Sequence, residues 1–209
     1  KFETLDKLFD YNIKEDQTLD IVAYNGTFKH VVIPSKIEGK KVTSISNSTS
    51  FGITLGAFSA KGILTVYIPD TVQTIDNFAF MGNYLTKVVI PKSVERVGNS
   101  AFSGNPLLNE VVIENHSMQF GSNVFALGNI NPANLIIYGH DPATAKDYAL
   151  ANGHQFKPIE ELGYLFDIET NAAENIISMF NPPLLKQTEV AVESPETSIS
   201  KIVAMGKLM

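Results

Sequence analysis

The amino-acid sequence predicts an α/β repeat solenoid, a stack of short turns that each combine a strand with a returning segment. Three observations predict it. A phrase recurs: an apolar β-type run closing in Ile-Pro, a polar stretch, then a small residue followed by Phe. Its clearest copies run from Val66, Tyr67, Ile68 and Pro69 to Ala79 and Phe80, and from Val88, Val89, Ile90 and Pro91 to Ala101 and Phe102. The closing isoleucines Ile68, Ile90, Ile113 and Ile137 lie 22, 23 and 24 residues apart, a period typical of repeats that bury an apolar face only by stacking. Finally, the spacing inside the period is uneven. Closing Ile to Phe is 12 residues in three copies (Ile68 to Phe80, Ile90 to Phe102, Ile113 to Phe125), whereas Phe to the next closing Ile varies from 10 to 12. The constant part is the stacked one and the variable part a tolerant turn.

Before the repeats, Phe9, Tyr11 and Ile13, then Glu15, Asp16 and Gln17, then Leu19, Ile21 and Ala23 alternate as a β-hairpin does. A terminal repeat needs such a cap. The first repeat opens at Val31, Val32, Ile33 and Pro34, but Ile33 to Phe58 is 25 residues. About five residues are added around Glu38 to Lys41, which moves the inward residue to Ile45, and about eight more fall in the Ser/Thr-rich stretch 46–55 with Phe51 and Ile53.

In the regular repeats, strand alternation turns Val66/Ile68, Val88/Ile90, Val111/Ile113 and Leu135/Ile137 inward, joined by Ile75, Val97 and Phe120 seven residues after a closing Ile. A short helical turn then delivers Phe80, Phe102 or Phe125 to the core. Gly-Asn at 82–83, 104–105 and 128–129 suits left-handed backbone in the tolerant turns. After the last strand, Asp141 and Pro142 read as N-cap and first residue of a helix that Asn152 and Gly153 end. A short strand near Phe156 completes this C-terminal helical cap. Residues 160–209 leave the period: Tyr164 to Ile168 read as a strand, 172–180 as a short helix, and Ile199, Ile202 and Val203 as one side of a last helix. The expected domains are therefore 1–159, the solenoid with its caps, and 160–209, an extension or part of a neighbouring module.

The stretch Leu85, Thr86, Lys87, Val88, Val89, Ile90, Pro91, Lys92, Ser93, Val94, followed by Val97, Gly98, Asn99, Ser100, Ala101, Phe102, Ser103, Gly104 and Asn105, resembles the BspA-like bacterial leucine-rich repeat. The similarity extends over roughly residues 8–159, including Tyr24 to Ile45 at the start and Ile137, Tyr138, Gly139 and 143–149 at the end. It implies a leucine-rich-repeat solenoid that is secreted or exposed on a bacterial, Gram-positive, cell surface and engaged in adhesion to host proteins and other cells. Two positions depart from the family: Asn83 and Asn105 stand where Cys is common, and Glu114 replaces the Pro of the Ile-Pro phrase.

Composition narrows the function classes. At 209 residues with 44% apolar content the chain can bury a sizeable core. A net charge of −6 lacks the basic footprint of a nucleic-acid binder, and no apolar run reaches the roughly 20 residues of a membrane-spanning helix. The sequence begins at Lys1, which reads as a mature or excised fragment. Absence of Cys excludes disulfides and thiolate chemistry. His30, His116, His140 and His154 share no metal-ligand spacing, and no nucleophile, phosphate-loop or zinc motif is present. No cofactor, metal or catalytic residue is expected, and the chain reads as a non-enzymatic module.

The expected function is recognition of a protein or other macromolecule at the cell surface. The alternatives are a rigid presenting module or a carbohydrate-binding accessory domain of a larger surface protein. The candidate binding surface is the outward strand row Tyr67, Val89, Val112 and Ile136, which Val32 extends, flanked by Lys87 and Glu110 and with Phe51 in the inserted loop beside it. Two readings stand for the row: side chains that suit a pleated surface, or an apolar stripe facing a ligand.

Overall fold

The computed structural model describes residues 5–50, 53–126, 128 and 131–166. Phe51, Asn129 and residues 167–209, with the helices expected there, lie outside them. A helical turn, α1 (Leu5–Leu8), leads into β1 (Phe9–Ile13), which pairs antiparallel with β2 (Leu19–Tyr24). A bulge between Asp10 and Tyr11 inserts Val22 into β2 and shifts its alternation, so Tyr24 is buried in place of Ala23; Ile13, at the end of β1, is 55% exposed. After β3 (His30–Val32), the first addition folds as a tight hairpin: β4 (Lys36–Ile37) against β5 (Lys40–Ile45), with Glu38 and Gly39 at φ 51 and 77. The second addition is another hairpin, β6 (Asn47–Ser50) against β7 (Ile53–Gly56).

From there long and short strands alternate: β8 (Thr65–Tyr67), β9 (Thr74–Ile75), β10 (Lys87–Ile90), β11 (Arg96–Val97), β12 (Glu110–Ile113) and β13 (Gln119–Phe120). Then come β14 (Ile136–Gly139), α2 (Thr144–Ala151), β15 (Gln155–Pro158) and a 3-10 helix, Ile159–Phe166. Tyr164, Leu165 and Phe166 thus lie in a helix and not in the expected strand; an apolar run this short carries no periodicity to separate the two.

Stacking the turns produces ladders along the solenoid. On one side β3 pairs in parallel with β8, β8 lies beside β10, and β10, β12, β14 and β15 form a parallel sheet in that order. On a second side β2, β5, β9, β11 and β13 pair in parallel, with Ile45 opposite Ile75, Ile75 opposite Val97, and Val97 opposite Phe120.

A third side takes the place of the expected helical turns. Phe78, Phe80 and Gly82 donate their N–H groups to Asn99, Ala101 and Ser103 of the next turn, and Ser100, Phe102 and Gly104 donate to Ser122, Val124 and Ala126. Backbone donors spent between turns cannot close a helix. The residue two before each Phe (Phe78, Ser100, Asn123) is accordingly left-handed, at φ 62, 53 and 56.

The three sides enclose one core. The expected inward set is buried, including Phe80 and Phe102 with no accessible surface, except that Phe120 is only partly covered. At its centre runs a column of rings, one per turn: Tyr24, Phe58, Phe80, Phe102 and Phe125, with successive centroids 5.4, 4.9, 5.0 and 5.5 Å apart. Phe9 meets Tyr24 at one end, and Tyr148 of α2 meets Phe125 edge-on at the other.

Asparagine supports this column in a way the turn chemistry did not suggest. The left-handed residues are Gly82 and Gly104 (φ 71 and 69), whereas Asn83 and Asn105 are buried. Asn83 donates to the Phe58 and Phe80 carbonyls and accepts from the Lys61 and Ile63 N–H groups. Asn105 repeats the pattern with Phe80, Phe102 and Leu85. At the departed Ile-Pro position, Glu114 has the N–H that proline lacks and donates it to the Ile90 carbonyl, 3.1 Å away.

Helix α2 begins two residues later than expected. Its N-terminal flank is Ala143, without a side-chain cap, because Thr144 is held on the preceding turn by the carbonyls of His116 and Met118. The Asp141 carboxylate instead pairs with Lys146 at 2.7 Å.

Candidate functional site

The outer face of the long-strand sheet is built by pairing register. Val32 stands opposite Tyr67, Val89 opposite Val112, and Val112 opposite Tyr138, which stands opposite Lys157. Ile136 does not continue this row. It pairs with Glu110, two ladder positions away on the same face, and so belongs with Lys87 and Gln155.

The place of Ile136 outside the row traces to Gly139. It occupies the register position of the closing isoleucine, opposite Ile113. A Cβ there would come within 2.9 Å of the Ala145 Cβ of α2, so the helix fills the space a repeat isoleucine would have taken. Counting apolar residues could not find a closing position that is a glycine.

The row is also less open than alternation implies. Tyr67, Tyr138 and Ile136 are half-buried, but Val89 is 5% exposed and Val112 not at all, although neither belongs to the core cluster. These valines stand between the larger Tyr67 and Tyr138, and the neighbouring ladder positions carry the ion-paired Lys87 and Glu110 on the same two strands. A ligand on this face would meet tyrosine and the paired charges, and not a valine stripe. Phe51, expected beside the row, lies outside the described residues.

Charge gathers at the closing end of the strands. Burial, with Asp70 and Glu114 nearby, pushes the Tyr67 hydroxyl up to about 12. Burial also raises the Glu114 carboxyl above its ordinary 4.5, with Asp70 adding to the rise and Lys92 opposing it. The Glu114 carboxylate accepts the Lys92 N–H at 3.1 Å.

Beyond this end opens a groove of about 640 Å³ that crosses four turns and is lined by polar side chains only: Lys41 and Thr43; Asp70, Thr71 and Gln73; Lys92, Ser93 and Glu95; Asn115, Ser117 and Gln119. Nothing in the hydropathy pattern singled it out, because exposed polar residues between two strands read as ordinary turn. Of the four histidines, His116 and His140 stack face to face with centroids 3.8 Å apart, and Glu160 reaches His140 at 3.7 Å. Among the described residues no three metal-ligating side chains converge, and no helix is long and apolar enough to cross a membrane.

Comparison with known proteins gives one family match, the BspA type Leucine rich repeat region, in six copies over residues 51–172. Comparison with curated proteins finds no match. Among solved structures, a T. pallidum leucine-rich repeat protein is similar at 18% identity and a TM-score of 0.35, covering 74% of this chain and 98% of the other. A leucine-rich cell surface protein from Faecalibacterium prausnitzii A2-165 is 17% identical with a TM-score of 0.34, covering 65% of this chain and 54% of that one. The pneumococcal vaccine antigen PcpA is 16% identical with a TM-score of 0.42, over 75% of this chain and 49% of that one. The chain thus spans about half the length of the latter two.

Proposed function

The chain belongs to the BspA-type leucine-rich repeat family, and from that premise we propose that it is a non-enzymatic recognition module, secreted or held at a bacterial cell surface, that binds a protein or other macromolecule in an adhesion-type contact. The observation that carries this reading is the outer sheet face, where a sealed valine pair stands in register with the half-exposed Tyr138, with the half-exposed Tyr67 on the adjacent strand β8 and with Lys87 and Glu110 alongside. Tyrosine with a charged rim is the composition of protein interfaces.

Residues 1–159 form the recognition unit in this proposal, with both ends capped. The β1–β2 hairpin places Phe9 and Tyr24 over Phe58, at 6.2 and 5.4 Å, and α2 places Tyr148 against Phe120 at 4.4 Å. Both therefore cover apolar rings that a bare terminal repeat would expose.

The test is binding of the full chain to a panel of immobilised extracellular matrix and plasma proteins by biolayer interferometry. At least one should bind, and Tyr67→Ala with Tyr138→Ala should weaken it at least tenfold while leaving most of the thermal stability intact. A rigid presenting module is the second reading, favoured by the unbroken ring column. It would be preferred if no member of the panel binds.

A further inference from the structure

The polar groove crossing four turns has no part in the sheet-face contact, and its side chains, apart from Ser117, which bonds Asn115, divide into two sets. One set holds the turns together. Thr43 bonds Thr18 at 2.9 Å, Thr71 donates to the Ser35 carbonyl, Ser93 donates to the Val72 carbonyl at 2.7 Å, and Asn115 donates to the carbonyls of Lys92 and Val94. The other set, Lys41, Asp70, Gln73, Lys92, Glu95 and Gln119, is exposed and makes no side-chain hydrogen bond or ion pair among the described residues. Its donors and acceptors are available to a ligand.

Three of these form a row. The Glu95 N–H bonds the Gln73 carbonyl and the Gln119 N–H bonds the Glu95 carbonyl, both at 2.8 Å, so an amide, a carboxylate and an amide occupy consecutive turns. Parallel strands set such a row at about 4.8 Å per step. Each planar group offers two hydrogen-bonding atoms side by side, a match for neighbouring hydroxyls on a sugar ring.

Other ligand classes fit less well. Two lysines against two carboxylates leave the groove without net charge, so it favours neither a polyanion nor a polycation. It has no apolar pocket to hold a peptide side chain, and the backbone N–H groups beneath the row are already committed between turns, which leaves no edge for strand addition. We propose that this groove binds a neutral, hydroxyl-rich polysaccharide chain laid across the turns, with Gln73, Glu95 and Gln119 as its principal hydrogen-bonding row.

Native affinity electrophoresis of the full chain tests this in gels containing mixed-linkage glucan, xylan, galactomannan or mannan, with alginate as an acidic comparison. At least one neutral polymer should retard the chain, and Gln73→Ala with Gln119→Ala should lower the association constant at least tenfold without moving Tm, because both side chains are exposed. Absence of retardation by every neutral polymer, or retardation unchanged in the double variant, would overturn the proposal. So would retardation by alginate alone, which would mark the lysines as an anion site, or loss in the double variant of binding to an immobilised protein, which would assign the groove to a protein ligand.

Discussion

Asn83 and Asn105 each satisfy buried backbone groups on two turns at once, a task suited to a side chain with both donors and an acceptor. The sequence marks both positions, since each follows a turn glycine, but it suggests only a bend. Left-handed backbone is expected of the pair and is found at the glycine; what the sequence could not reveal is that the asparagine turns inward. Asn83→Ala should cost more stability than Asn105→Ala in urea denaturation, because more partners lose their bond; each buried group left unpaired costs about 1–3 kcal/mol. Equal, small losses would mean that water or backbone movement replaces the side chain.

Glu114 makes a pH-dependent contribution. Burial raises its folded-state value above the ordinary 4.5, so in the window above 4.5 the folded chain retains a proton that the unfolded chain has released. Stability from this group is therefore present at acid pH and is lost as pH rises through that window. Glu114→Gln should raise Tm at pH 7 and leave it nearly unchanged at pH 4. An equal shift at both values would assign the effect to packing.

Ala60 is out of keeping with its neighbours along the stack. It sits two residues after Phe58 at φ 54, where the next turns have Gly82 and Gly104. Left-handed backbone costs a residue with a Cβ roughly 1–2 kcal/mol, partly offset by the greater freedom of glycine in the unfolded chain. Ala60→Gly should thus stabilise the protein by up to about 1 kcal/mol, measured as a higher urea midpoint.

Among the elements, the long strands and the ring column were the most legible. Val66, Ile68, Val88, Ile90, Phe80 and Phe102 repeat at fixed offsets, and fixed offsets are what stacking demands. Phe102→Ala should cost about 3–5 kcal/mol by removing a ring with neighbours on both sides. Elements that depend on contacts between distant segments were less legible. The stretch 46–55 reads as a loop, but Asn47–Ser50 pairs with Ile53–Gly56 as β6 and β7, and the start of α2 is set by His116 and Met118, not by Asp141.

The candidate site shows the same division. Tyr67, Lys87, Val89, Glu110 and Val112 share the outer face, as alternation requires, while the replacement of Ile136 by Tyr138 in the row depends on Gly139 yielding space to Ala145. Burial of the valines also changes what a mutation there reports. Val89→Lys with Val112→Lys would force two charges into covered positions, so a large fall in Tm is expected whether or not the face binds anything.

At the scale of the whole molecule, the sheet face and the groove are both products of one stack. Neither Tyr67 and Tyr138 nor Gln73, Glu95 and Gln119 would line up if the turns slipped by a residue or separated into independent blocks. Because the chain has no Cys, introduced cysteines provide unique attachment points for spin labels. His30 and Gln155 are exposed and lie on the first and last of the long strands, β3 and β15, five strand spacings apart across β8, β10, β12 and β14. At about 4.8 Å per spacing the backbone separation should be near 24 Å for His30→Cys with Gln155→Cys, and about 5 Å less for Thr65→Cys with Gln155→Cys. Pulsed electron-electron resonance measures both. Two narrow distance distributions differing by that single spacing are the expected result. Broad distributions, or a difference unrelated to one strand spacing, would contradict a continuous in-register solenoid.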